Sequence, residues 1–132
     1  MTLALLCIVV ASILPIVCAG FSKVGAFRRG EGGFDNHHPR EWLAKQTGFR
    51  ARANAAQANS WEALIVFAPA VLAAHWLNAP QARIDALAVA FIVARVSYIA
   101  LYLKNQASAR SIVWALGFFI SLGFYFLSFF PA

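Results

Sequence analysis

Charged residues are scarce in this chain of 132 residues: they make up 12% of it, while hydrophobic residues make up 61%. Soluble globular proteins contain about 45–50% apolar residues. The composition therefore excludes an ordinary soluble domain. It predicts an all-α integral membrane protein with one domain over residues 1–132, and the lipid bilayer is its first expected partner.

Cysteine is also rare, since Cys7 and Cys18 are the only two in the chain. Both lie in the first apolar run, where eleven residues of helix would separate them by about 16 Å. That distance is beyond the reach of a disulfide bond, and the spacing is not typical of metal ligands. We expect both side chains to serve packing.

Four apolar stretches predict four membrane-spanning helices, over about residues 2–20, 51–77, 84–103 and 111–130. No Lys or Arg precedes Lys23, so the first stretch lacks the positive region of a cleaved signal peptide. We expect a retained helix, with a cleaved signal as the alternative. The polar connection, residues 21–50, should contain a short helix from Pro39 to Lys45.

Two adjacent histidines in the polar connection, His37 and His38, raise the possibility of a metal site with Asp35. No second pair of His or Cys residues lies at a useful spacing. We therefore expect solvated or capping histidines and no metal.

The basic residues indicate how the chain crosses the membrane. Eight of them lie in the first and third connections, namely Lys23, Arg28, Arg29, Arg40, Lys45, Arg50, Lys104 and Arg110. The two termini have none. The positive-inside rule then places both termini outside and these two connections in the cytoplasm. Nothing indicates the exposed basic face of a nucleic-acid-binding domain, so no nucleic-acid partner is expected.

Glu62 lies inside the second apolar stretch, where a carboxylate costs about 2.5–3.5 kcal/mol on insertion scales. Arg95, in the third stretch, is its predicted partner. One interpretation is that this ion pair simply fastens two helices together. Further polar side chains are expected at the same depth, namely Gln57, Asn59, Tyr98 and Tyr102. They exceed what one salt bridge requires, and therefore favour a bound polar ligand.

These residues form two motifs, Gln57-x-Asn59-x-x-Glu62 and Arg95-Val-x-Tyr98-x-x-x-Tyr102. They resemble the two signatures of the MAPEG family, the membrane-associated proteins in eicosanoid and glutathione metabolism. The resemblance covers all four apolar stretches and implies a four-helix bundle that assembles as a homotrimer. It also implies that glutathione, as co-substrate, binds between subunits near the cytoplasmic side. Similarity to small bacterial members implies the bacterial inner membrane.

The resemblance also assigns roles to individual residues. Asn59 and Glu62 match positions that bind glutathione, and the carboxylate of Glu62 would pair with its α-ammonium group. The third-helix positions that contact the tripeptide match Arg95, Tyr98 and Tyr102. Gln57 and Ser111 are included among the expected binding residues. Many members have an arginine one turn before the asparagine, where this chain has Ala55. Arg52, about one turn further toward the N-terminus, is expected to extend its side chain to that position.

Arg110 resembles the arginine that activates the thiol, and its chemistry supports that role. A neighbouring cation favours a thiolate, and the N-terminus of a helix adds positive potential. The alternative for this residue is contact with lipid headgroups at the membrane interface.

Three functions are compatible with the sequence. The first is a glutathione-dependent transferase or peroxidase acting on lipophilic electrophiles. The second is a non-catalytic membrane protein of the same fold that binds a lipid or a partner. The third is a small exporter driven by protonation of Glu62, which pairing with Arg95 would oppose because it keeps the carboxylate ionised.

Overall fold

The computed structural model describes residues 1–27 and 33–129, and every regular element in these ranges is helical. The helices are α1 (Leu3–Ser22), α2 (Pro39–Ala44), α3 (Gly48–Trp76), α4 (Gln81–Leu103) and α5 (Ala107–Gly123), followed by a 3-10 helix (Phe124–Phe129). Arg28 and Arg29, which the topology prediction uses, lie outside the described residues. So does Phe130, the end of the last predicted span.

Three of the described helices are long and apolar enough to cross a membrane: Leu3–Ser22, Gln81–Leu103 and Ala107–Phe129. The chain is therefore an integral membrane protein. Helix α3 is not among the three, although its 29 residues would extend about 44 Å. Its N-terminal third is polar, which lowers its mean hydropathy. A fourth span along α3 stays a prediction.

Helix α1 is fixed at its start by two side chains. Thr2 is the N-cap, and its hydroxyl oxygen accepts a hydrogen bond of 3.3 Å from the backbone N–H of Leu5. Asp85 at the start of α4 accepts the N–H of Ala4 at 2.8 Å. These bonds satisfy N–H groups that have no partner within the helix, and they tie the beginning of α1 to α4.

An aromatic cluster fills the core between α3, α4 and the 3-10 helix. The rings of Phe67 and Phe91 are stacked with centroids 3.8 Å apart, and Phe124 meets Phe67 edge-on at 5.8 Å. All three side chains are buried. Cys7 and Cys18 form no disulfide bond, and both are buried in the hydrophobic clusters, as a packing role requires.

The described part of the polar connection is ordered by aromatic packing. Phe34 contacts the rings of Phe27 and Trp42 edge-on, with centroids 5.7 and 5.2 Å away. Lys23 lies 4.5 Å from the Phe34 ring centroid. Helix α2 begins at Pro39 as predicted and ends one residue early. The Arg50 guanidinium carbon lies 5.6 Å from the Trp42 ring centroid, which places α2 beside the start of α3.

Asp35 organises the turn before α2. Its Oδ1 accepts the backbone N–H groups of His37 at 2.8 Å and of His38 at 3.3 Å. The backbone N–H of His37, with a smaller contribution from His38, lowers the pKa of this carboxyl. Oδ2 lies 3.4 Å from Nδ1 of His38. The carboxylate therefore caps this turn, whereas the sequence led us to expect that the histidines would be solvated or would cap it.

Candidate functional site

Asn59 connects the charged groups of α3 and α4. Its Nδ2 donates a hydrogen bond of 3.1 Å to Oε2 of Glu62, and its Oδ1 accepts one of 3.1 Å from Nη2 of Arg95. Nη2 also donates to the hydroxyl oxygen of Ser60 at 3.3 Å. Arg95 is only 4% exposed, so these bonds satisfy a guanidinium that the core has removed from solvent.

The predicted direct ion pair between Glu62 and Arg95 is wrong. No nitrogen–oxygen contact within 4.0 Å joins these two described residues. The reason is that the Asn59 amide lies between them, accepting from the cation and donating to the carboxylate. Glu62 keeps an exposed side chain.

Aromatic rings extend this arrangement to α5. The Arg95 guanidinium carbon lies 4.3 Å from the centroid of the Tyr98 ring, and Tyr98 meets Tyr102 edge-on at 5.6 Å. The guanidinium carbon of Arg110 lies 4.0 Å from the Tyr102 centroid. Both distances are typical of cation–π contacts. Polar and aromatic groups therefore run without a break from Glu62 to Arg110.

A polar cavity of about 210 Å³ lies along this series. Its lining residues are Asn59, Tyr98, Tyr102, Arg110, Ser111 and Trp114. Arg110 is in the first turn of α5. Within the described residues its guanidinium has the Tyr102 ring as neighbour but no hydrogen bond or ion pair. Its N–H groups are therefore available to an anion.

A second cavity, of about 110 Å³, adjoins the first and is mainly apolar. Its lining residues are Glu62, Ala63, Val66, Phe91, Arg95, Trp114, Gly117, Phe118 and Ser121. Trp114 lines both cavities. Sequence reasoning missed this residue, although its offset of four from Arg110 places both on one face of a helix.

Arg52 and Gln57, which the sequence predicted for the site, line neither of the two cavities. Arg52 lines neither cavity: its Nε donates a hydrogen bond of 3.1 Å to the carbonyl oxygen of Leu103. The last carbonyls of a helix lack partners and carry partial negative charge, so the end of α4 holds this side chain away from Asn59. Gln57 is half-buried on α3 and also lines neither cavity.

A comparison with protein-family models identifies the chain. The model of the MAPEG family matches residues 3–130. The chain belongs to the MAPEG family. No curated protein and no solved structure shows significant similarity to it. Membership confirms the resemblance stated from the two motifs, and it is a further reason to set the exporter aside.

Proposed function

We propose that this MAPEG protein is a glutathione-dependent transferase or peroxidase that acts on lipophilic electrophiles. It works as a homotrimer of four-span subunits in a bacterial inner membrane, with both termini outside. The observation that carries the proposal is the Arg110 guanidinium, which lines the polar cavity and is held there by the Tyr102 ring.

The charges of the site complement those of glutathione, which has one ammonium group, two carboxylates and a thiol. Glu62 is exposed, and Asn59 is its hydrogen-bond partner among the described residues, so its carboxylate suits the ammonium group. Arg110 and the Tyr98 and Tyr102 hydroxyl groups suit the anionic groups. Arg95 is buried and already bonded, so it positions Asn59.

The size of the polar cavity supports a site that is shared between subunits. Its volume is about 210 Å³, little more than that of the cavity of about 150 Å³ that holds one benzene molecule. A whole tripeptide is larger than this. One subunit would therefore hold part of glutathione, and a neighbouring copy in the homotrimer would complete the site.

The proposed chemistry is attack by a thiolate. A thiol with a pKa of about 8.5 is mostly protonated at neutral pH, and a cation within hydrogen-bond distance lowers that pKa by about 1–3 units. Arg110 and the N-terminus of α5 supply this positive potential. The sulfur forms a bond with the electrophilic carbon while the leaving group departs with the bonding electron pair, and the thiol proton goes to solvent.

The ultraviolet absorbance of bound thiolate tests this role. In the wild type, titration with pH should show the thiolate of bound glutathione forming below the pKa of the free thiol. In Arg110→Ala the midpoint should rise by about 1–3 pH units, while Arg52→Ala, which alters an arginine outside both cavities, should leave it unchanged. The same midpoint in wild type and Arg110→Ala would contradict the proposal.

The second candidate is a non-catalytic protein that binds a lipid or a partner. The mainly apolar cavity favours it, because this cavity would accept the end of an acyl chain whether or not chemistry follows. A purified protein that carries lipid, detected by mass spectrometry, and turns over no electrophile with glutathione would favour this alternative.

A further inference from the structure

The apolar cavity has flat aromatic walls. Trp114 and Phe118 are stacked with centroids 5.7 Å apart and planes only 5° from parallel, and the buried ring of Phe91 also lines the cavity. Glu62 and Arg95 contribute its polar boundary. Trp114 and Phe118 are 44% and 37% exposed, so the cavity is bounded in part by rings on the outer surface of the subunit.

The volume of the cavity limits what it can hold. A dry protein cavity of about 150 Å³ lined by Leu, Ile and Phe binds benzene, and this cavity is smaller, at about 110 Å³. One aromatic ring that extends partly past the exposed walls would fit. A second fused ring would have to lie outside the cavity, past the exposed walls.

We propose that this cavity receives the apolar group of the electrophile, that it accepts one aromatic ring in preference to two fused rings, and that Gly117 sets the limit. The inference rests on the proposed transferase function and specifies the substrate class for that site. Since Trp114 lines both cavities, a ring bound here would present its reactive substituent at the boundary with the polar cavity, where the thiolate is proposed to form.

Gly117 carries the size argument because it is buried within α5. A Cβ built there would lie 3.8 Å from Cβ of Ala94, which is an ordinary van der Waals distance. Alanine therefore fits the helix and would also raise its stability. Its methyl group would occupy cavity space. The hydroxyl of Ser121 already donates to the Gly117 carbonyl oxygen at 3.1 Å, so it adds no unpaired polar group to the cavity.

The reaction used for the test is the substitution of a benzylic chloride. The glutathione thiolate forms a carbon–sulfur bond, the carbon–chlorine bond breaks, and chloride leaves with the electron pair. Benzyl chloride provides one ring and 1-(chloromethyl)naphthalene provides two. The ratio of kcat/KM for the two chlorides is measured in one detergent, so that partition into micelles affects all variants equally.

Three variants separate the effect of size from damage to the fold. Gly117→Ala narrows the cavity and should lower kcat/KM for the two-ring chloride by about tenfold more than for benzyl chloride, since one methylene in a pocket changes selectivity by about 10–200-fold. Phe118→Ala removes one wall and should shift the ratio about tenfold towards the two-ring chloride. Gly123→Ala is the matched control in α5, because its Cβ would meet Leu87 at a similar 3.7 Å outside the cavity. It should leave the ratio unchanged.

Opposite shifts in Gly117→Ala and Phe118→Ala would support the proposal. If Gly117→Ala does not fold, the shift of the ratio in Phe118→Ala alone tests the proposal. Turnover of both chlorides with a ratio that neither variant changes would overturn this inference and leave the transferase function standing. Absence of glutathione binding and of turnover in the wild type would overturn both.

Discussion

The Arg95 guanidinium and the Asn59 side-chain amide are joined by a hydrogen bond of 3.1 Å, and through this amide the cation of α4 is connected to the carboxylate of Glu62. A direct ion pair would have neutralised both charges and left Glu62 with little to offer a ligand. An amide accepts and donates at the same time. It therefore satisfies the buried cation while the exposed carboxylate keeps its capacity for a further partner.

Replacing Asn59 by alanine should destabilise the fold by about 1.5–3 kcal/mol, because a hydrogen bond to a charged group contributes about that amount and Arg95 is buried. The free energy of unfolding in detergent, followed by circular dichroism, measures the effect. Gln57→Ala is the control: Gln57 is half-buried on the same helix, and no side-chain hydrogen bond involves it in the described ranges. It should change stability by less than about 0.5 kcal/mol. Equal effects of the two substitutions would contradict the role of Asn59.

Arg52→Ala should lower stability without changing glutathione affinity. The side chain donates to the last turn of α4, and the loss of such a charged hydrogen bond costs about 1.5–3 kcal/mol when buried and less at this half-buried position. Unfolding and calorimetry on the same preparation separate the two effects. Weakened binding together with unchanged stability would restore the expectation that Arg52 reaches the ligand.

Asp35 should show a titration below its usual pKa of 3.8, because the backbone N–H of His37 donates to its ionised form. A lowered pKa in the folded state means that the carboxylate stabilises the turn at pH values above the usual pKa. That stabilisation is lost as the pH falls through the lowered value. The amide chemical shifts of His37 and His38, followed by NMR, should change with pH with a midpoint at this lowered pKa. That transition should be absent in Asp35→Asn. A midpoint at or above 3.8 would contradict the contact.

Helical spacing predicted which side chains share a face, but not which of them touch. The interval of three residues between Asn59 and Glu62 placed both on one face of α3, and they are hydrogen-bonded. The sequence of α4 likewise placed Arg95, Tyr98 and Tyr102 together, where they form a series of ring contacts. The intervening amide between Glu62 and Arg95 could not be predicted, because it depends on how far α3 and α4 are offset along their axes.

The positions of Arg52 and Trp114 show a similar limit. Arg52 binds the end of α4 because that end lies beside it in the fold, and periodicity along α3 carries no information about a neighbouring helix. Trp114 shares a helix face with Arg110, but the two cavities that it lines exist only once three helices have packed. The sequence predicted which residues share a helix face and the order of the helices, whereas the contacts between helices and the volumes of the cavities required the structure.

Calorimetry of glutathione binding to the detergent-solubilised protein, wild type beside Glu62→Gln, tests the central claim most directly. Glutamine can still accept from Asn59 but lacks the charge proposed to hold the ammonium group. The account predicts binding to the wild type and an affinity lower by about tenfold or more in the variant, since hydrogen bonds to charged groups contribute about 1.5–3 kcal/mol. Equal affinities, or no binding to the wild type, would contradict it.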